Sequence, residues 1–213
     1  FPSLIDLASP TNAQAIRLLG NQAEDQWGRS LATGDVNGDG FEDVIIGSST
    51  ALGGKGIVTV VFGSAAFASK DSVNISGSGG GTLTIIGKSV MDWTGYSVAI
   101  GNIDGDGYKD IIIGAYGTDA QGKVNSGQVY VIFGSSSLSY QTSIDLSVAS
   151  YNQLRIYGST IEDGFGYSVA AGRVNNDAYD DIIVGATGVD YSGRENAGAA
   201  YVIYGSTTLK SVG

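Results

Sequence analysis

Short apolar runs of five to seven residues recur along the chain, each bounded by Gly, Asn, Asp or Ser. They are rich in β-branched and aromatic side chains, and no segment sustains an apolar period of about 3.6 residues between helix caps. That pattern predicts strands joined by tight turns.

The runs fall into matching series. GRSLATGD (28–35), GYSVAIGN (95–102) and GYSVAAGR (166–173) align without gaps. An acidic loop leads from each into DVIIG (43–47), DIIIG (110–114) or DIIVG (181–185). A third run follows as IVTVVFG (57–63), QVYVIFG (128–134) or AAYVIYG (199–205), and a weaker fourth precedes every unit at 16–20, 83–87 and 154–158. Gly28 to Gly95 spans 67 residues and Gly95 to Gly166 spans 71. The four extra residues fall between the second and third runs, where a surface loop absorbs them.

Four strands per unit, with side chains growing larger outward, describe an all-β chain of β-propeller blades. The first strand is made of Gly, Ser, Ala and Val because inner strands crowd around a common axis. The second is a continuous Ile/Val run because both of its faces are buried. An all-β sandwich is the alternative, but it does not account for so regular a period. The expected units are an outer strand with its entry loop (1–27), then three antiparallel repeats (28–94, 95–165 and 166–213). The last repeat lacks its outer strand, and the N-terminal strand is free to complete another blade.

Composition narrows the chemistry. The 213 residues include 34 Gly and neither Cys nor His, which excludes a Ser-His-Asp triad, a Cys nucleophile, a zinc finger and a disulfide framework. A hydrophobic share of 42% is enough for a real core. No apolar run approaches the roughly 20 residues of a membrane-spanning helix. The net charge of −10 repels a polyphosphate backbone, so nucleic acid is not expected as a partner, whereas divalent cations suit it. Beginning at Phe1 without Met or a basic and apolar leader, the chain reads as a processed or excised product.

Aromatic-Gly pairs before the first strand (Trp27-Gly28, Phe165-Gly166) and Gly-Ala pairs after the second (Gly114-Ala115, Gly185-Ala186) resemble the FG-GAP repeat of integrin α-subunit propellers. The resemblance covers nearly the whole chain. It departs at Thr94, where the aromatic is displaced to Trp93, and at Ser48, which stands for Ala.

The loops between first and second strands carry the candidate chemistry. Asp35, Asn37, Asp39 and Asp43 occupy positions 1, 3, 5 and 9 of one loop, with the carbonyl of Phe41 available at position 7. Asn102, Asp104, Asp106, Asp110 and the carbonyl of Tyr108 repeat the arrangement. Alternation lets a tightly curled backbone aim every second side chain inward, Gly40 and Gly107 permit the sharp turn, and the last Asp can bind through both oxygens. Six or so hard oxygens suit Ca²⁺, and two such sites are expected. The third loop has Arg173, Asn175, Asp177 and Asp181, with Ala178 for the turn Gly. There Arg173 is expected to replace the metal as an internal cation paired with Asp177 or Asp181.

The resemblance implies calcium loops on one face and partner-binding loops on the other, at 48–55, 115–126 and 186–197 and around Asp25, Trp27, Asp92, Trp93, Glu162 and Asp163. Tyr116, Asp119, Lys123, Tyr191, Arg194 and Glu195 are the candidate partner-binding residues, whereas Trp27 and Phe165 are expected to pack between blades. The reading is a calcium-binding, extracellular or cell-surface adhesion or recognition module with a protein or glycan partner, not an enzyme. A lectin and a non-catalytic accessory portion of a secreted hydrolase or lyase are the alternatives. Because three blades are too few for a ring, head-to-tail self-association or further blades are expected to close it.

Overall fold

The computed structural model describes residues 15–20, 22–69, 72–74, 81–148 and 152–211. The start at Phe1 lies outside them. Fourteen strands follow one another in the described residues: β1 (Arg17–Leu19), β2 (Ser30–Gly34), β3 (Asp43–Ser48), β4 (Ile57–Val61), β5 (Ser72–Asn74), β6 (Thr82–Ile86), β7 (Ser97–Gly101), β8 (Asp110–Ala115), β9 (Gln128–Ile132), β10 (Ser143–Asp145), β11 (Gln153–Tyr157), β12 (Phe165–Gly172), β13 (Asp181–Ala186) and β14 (Ala199–Ile203). Helical structure is confined to short turns, and no helix among the described residues is long and apolar enough to cross a membrane.

The strands form three antiparallel meanders. The first sheet runs β2-β3-β4-β6, the second β7-β8-β9-β11, and the third β12-β13-β14. The last has no outer strand among the described residues. Two short strands add something the sequence reading did not anticipate. β10 pairs in parallel with β6 and widens the first sheet to five strands, with Ile144 opposite Ile85. β5 does the same for β1, with Arg17 opposite Ser72. The N-terminal strand, expected to be spare, therefore already has a partner within the chain on one edge.

Alternation along β8 explains its unbroken Ile run. Ile111 and Ile113 face the first sheet and join Ile45, Val58, Val60, Leu83 and Ile85 in one core. Ile112 faces the other way and joins Val129, Val131, Ile182 and Val184 in a second core. A strand buried on both faces has no polar side to show. The small residues of the inner strands let neighbouring sheets meet: the Ser30 hydroxyl donates to the Gly95 carbonyl at 2.9 Å, and Ser97 Oγ accepts from Val169 N–H at 3.0 Å. Beyond the third sheet no further layer follows among the described residues, and Tyr201, Val202 and Tyr204 are exposed there.

The meander places all loops from first to second strand at one end of the sheets. Loops from second to third strand share the opposite end with the stretches that enter each unit: Trp93 N–H donates to Gly54 O at 2.8 Å, and Glu162 N–H donates to Val124 O at 2.9 Å.

Candidate metal centre

Each acidic loop is held by its final Asp. Asp43, Asp110 and Asp181 are all fully buried. Each accepts an N–H from the start of its loop and one from the Gly just after the third strand, and Asp181 accepts from Asn175 N–H as well at 3.3 Å. For Asp43 these are Val36 at 2.9 Å and Gly63 at 2.9 Å; for Asp110, Ile103 at 2.7 Å and Gly134 at 2.9 Å; for Asp181, Val174 at 2.7 Å and Gly205 at 3.0 Å. Both oxygens expected to be free for a metal thus also carry a structural bond. A carboxylate oxygen has a second lone pair, so the two uses are compatible.

Backbone curl is set by Gly at two places in the loop. Gly40 (φ 87°) and Gly107 (φ 97°) take left-handed values at position 6, as the sequence pattern requires. Position 4 is also left-handed, at Gly38, Gly105 and Asn176. Asn tolerates that conformation better than most side chains, which accounts for Asn176 in the third copy.

The first two loops share a donor set but not an arrangement. In the first, Asp35 turns its carboxylate onto the loop backbone, accepting from Gly38 N–H at 2.7 Å and Gly40 N–H at 2.9 Å. Asp39 Oδ1 accepts from Phe41 N–H at 2.9 Å, and the Asn37 amide donates to Asp39 Oδ2 at 3.0 Å. In the second, Asn102 Oδ1 accepts from Gly105 N–H at 2.9 Å. Asp104, Asp106 and Asp110 there bring one carboxylate oxygen each to within 4.8 Å of one another. Burial pushes the Asp110 carboxyl up to about 7; the Gly134 and Ile103 N–H groups resist the shift, and the charges of Asp104 and Asp106 add to it.

A cation already stands at that cluster. Lys210 reaches from the 3-10 turn after β14 and sets its ammonium 2.9 Å from Asp104 Oδ2 and 3.0 Å from Asp106 Oδ2. Only the Asp106 contact has hydrogen-bond alignment, so the buried Asp104 Oδ2 has no directional donor. Burial lowers the Lys210 pKa, but Asp104 and Asp106 outweigh it and hold the group above its ordinary value. The set of Asp104, Asp106 and Asp110 is oxygen-only, and two of its members already attract a positive charge, which fits a hard divalent cation. Sequence reasoning missed Lys210 because nothing local marks a side chain 104 residues from its partner.

The third loop keeps the turn without the acid at its head. Asp177 Oδ1 accepts from Tyr179 N–H at 2.8 Å and the Asn175 amide donates to Asp177 Oδ2 at 2.7 Å. Arg173 does not enter the loop to meet Asp177 or Asp181. Its Nε lies 3.7 Å from Asp180 Oδ1, and its side chain is 63% exposed. Asp180 draws it outward because that carboxylate also ties the second loop to the third, pairing with Lys109 at 3.2 Å and accepting from Asn102 N–H at 2.8 Å.

At the opposite end the partner-surface residues divide into two kinds. Lys123 donates to the Ser159 carbonyl at 2.6 Å and Asp119 accepts from Asn125 N–H at 2.9 Å, so both brace loops. Tyr116 packs with Tyr96 and Tyr167, at 4.6 and 5.2 Å between ring centres. Tyr191 is 65% exposed and bridges to Arg194 through the backbone only, and Glu195 is exposed beside them. Phe165 is buried in the second core, as expected, and the half-buried Trp27 donates from Nε1 to Thr59 Oγ1 at 3.3 Å.

The FG-GAP repeat model matches three times, at residues 27–61, 94–132 and 165–203, which is more than half of the chain. The chain belongs to the FG-GAP repeat family. Each match runs from the Gly that opens the first strand, preceded by Trp27, Thr94 or Phe165, through the acidic loop to the third strand. Among relatives, integrin alpha-PS2 of Drosophila melanogaster is 32% identical over 190 residues, covering 84% of this chain and 12% of its own length. Integrin alpha-V of Gallus gallus is 31% identical over 186 residues, covering 85% and 15%. Phosphatidylinositol-glycan-specific phospholipase D of Bos taurus is 31% identical over 112 residues, covering 53% and 13%. The FG-GAP repeats here therefore span about an eighth of the integrin and phospholipase chains they match.

Proposed function

We propose that the three sheets are blades of a β-propeller in a calcium-binding adhesion or recognition module that works outside the cell or at its surface and has no catalytic activity of its own. One observation carries the calcium reading: Asp104, Asp106 and Asp110 bring one carboxylate oxygen each to within 4.8 Å of one another, and two of them, Asp104 and Asp106, already hold an ammonium. Asp35, Asn37, Asp39, Asp43 and the Phe41 carbonyl would hold one Ca²⁺; Asn102, Asp104, Asp106, Asp110 and the Tyr108 carbonyl would hold the other. Bound calcium would offset the mutual repulsion of the carboxylates and brace the end of the sheets where they sit. The integrin relatives support a macromolecular partner at the opposite end, where Tyr191, Arg194 and Glu195 are the exposed candidates beside Tyr116, Asp119 and Lys123. Further blades, from this chain's continuation or from a second copy, would close the ring.

Isothermal titration with CaCl₂ tests the metal reading. Two ions should bind, and Asp39→Ala and Asp106→Ala should each remove one, while Asp177→Ala leaves the stoichiometry unchanged. No heat at millimolar Ca²⁺ would refute it. Proton competition gives a second check. The folded Asp110 pKa, about 7, lies above the unfolded value, so this carboxyl stabilises the calcium-free fold at low pH and loses that contribution as pH rises through 7. Calcium needs the carboxylate, so binding at the second loop should strengthen over the same window and be about tenfold weaker at pH 6 than above pH 8.

The phospholipase D relative favours a second reading, an accessory portion of a secreted hydrolase. A glycan array and a pull-down with extracellular-matrix proteins separate it and the lectin reading from adhesion.

A further inference from the structure

The same turn recurs after the third strand of every sheet, as Ala65–Ser69, Leu138–Tyr140 and Leu209–Ser211. Two of these turns cap the acidic loop of the sheet before. Leu138 joins the core that holds Val36, and Ser135 N–H just before it donates to the Val36 carbonyl at 3.0 Å. Leu209 packs against the core that holds Ile103. Aligning Leu138 with Leu209 puts Ser139 at the position that Lys210 holds over the second loop. Ser139 turns its hydroxyl to the Ser136 carbonyl at 3.1 Å and brings no charge. Lys210 brings an ammonium, seated between Asp104 and Asp106 and 5.3 Å from the centre of the Phe133 ring.

We infer that Lys210 is a tethered cation that competes with Ca²⁺ for the second loop, so that metal entry there is coupled to release of the Leu209–Ser211 turn. This rests on the calcium reading of the loops. The ammonium touches the side chains of ligand positions 3 and 5. A Ca²⁺ at about 2.3–2.6 Å from those carboxylates would lie against the ammonium, like charge to like charge. One must leave for the other to stay. Among the described residues the first loop has no such competitor, so the sites differ: the first fills at lower Ca²⁺, and only filling of the second unseats the turn. What then holds the turn includes the Leu209 contact, the bond from Leu209 N–H to the Ser206 carbonyl at 3.2 Å and the hydroxyl bond between Ser206 and Thr208 at 2.9 Å.

The test uses the full chain carrying Asp39→Ala, so that the second loop alone reports, titrated with CaCl₂ by calorimetry. Adding Lys210→Met keeps the apolar stem and removes the charge; it should tighten binding about tenfold, equivalent to about 1.4 kcal/mol. Lys210→Gln should do the same, and Lys210→Arg should not. In the chain with native loops, CaCl₂ should speed hydrogen exchange at the Leu209 amide. Calcium binding that Lys210→Met leaves unchanged overturns the competition while the calcium reading stands. No binding in either the Asp39→Ala chain or its Lys210→Met derivative overturns the calcium reading and this inference with it.

Discussion

Asp110→Ala should lower the melting temperature of the protein by about 10 °C when measured in EDTA. The substitution strips the acceptor from Ile103 N–H and Gly134 N–H, which bond the carboxylate at 2.7 and 2.9 Å. Ile103 is fully buried and Gly134 is buried beside it, so water does not replace the lost partner. Each orphaned N–H costs about 1–3 kcal/mol, which makes the expected loss a few kcal/mol. Asp110→Asn keeps one acceptor and should recover part of it. Chelator is essential to the design, because it separates the anchoring role from any metal bound by the same side chain. Calorimetric melts in EDTA that superimpose for Asp110→Ala and the native chain would show that the carboxylate does not anchor the loop.

That dual role bears on how the site is built. An acidic loop with no other support would fly apart when its cation leaves. Here the last Asp ties loop to third strand through backbone N–H groups, and the third copy shows the tie working where the head of the loop is Arg173. Asp181 makes the same two bonds, to Val174 and Gly205. The turn is thus a property of the fold, held whether or not an acid stands at the head of the loop.

Strand classes were legible in the sequence because each class has a distinct packing demand. Inner strands show Gly, Ser and Ala where sheets touch, and β8 shows an unbroken Ile run where two cores meet. The acidic loops were legible because alternation of oxygen side chains has little other use at that density. What escaped detection lacks a local signal. β5 and β10 are three residues long, and each pairs in parallel with a strand far back in the chain, β5 with β1 and β10 with β6. Alternation places Arg173 in the loop interior, yet its partner Asp180 sits at an even position, which the same alternation points outward. Lys210 is invisible for the opposite reason: its turn is ordinary, and only docking against the preceding sheet brings it to Asp104 and Asp106.

Gly114→Ala should destabilise the protein by about 3 kcal/mol, since overpacking a filled interface costs about 1–3 kcal/mol and here the obstacle is backbone. A Cβ on Gly114 would be driven into the carbonyl of Gly166, the Gly of the aromatic-Gly pair that opens the third repeat. Neither side can yield cheaply. Gly114 is paired with Ser97 and Val129 in the second sheet, and its carbonyl accepts from Gly95 N–H at 3.0 Å. Gly166 is flanked by Phe165, which is buried in the second core and donates its backbone N–H to the Ser126 carbonyl at 3.0 Å. The extra methyl can be housed only by prising the second sheet from the third, which loosens Ile112, Val131, Ile182 and Val184 together. Gly172→Ala is the matched control: it lies in β12 with nothing within 4 Å of the added carbon, and should melt within about 2 °C of the native chain. Equal melting temperatures for the two variants would mean that the Gly–Gly contact does not set the spacing of the sheets.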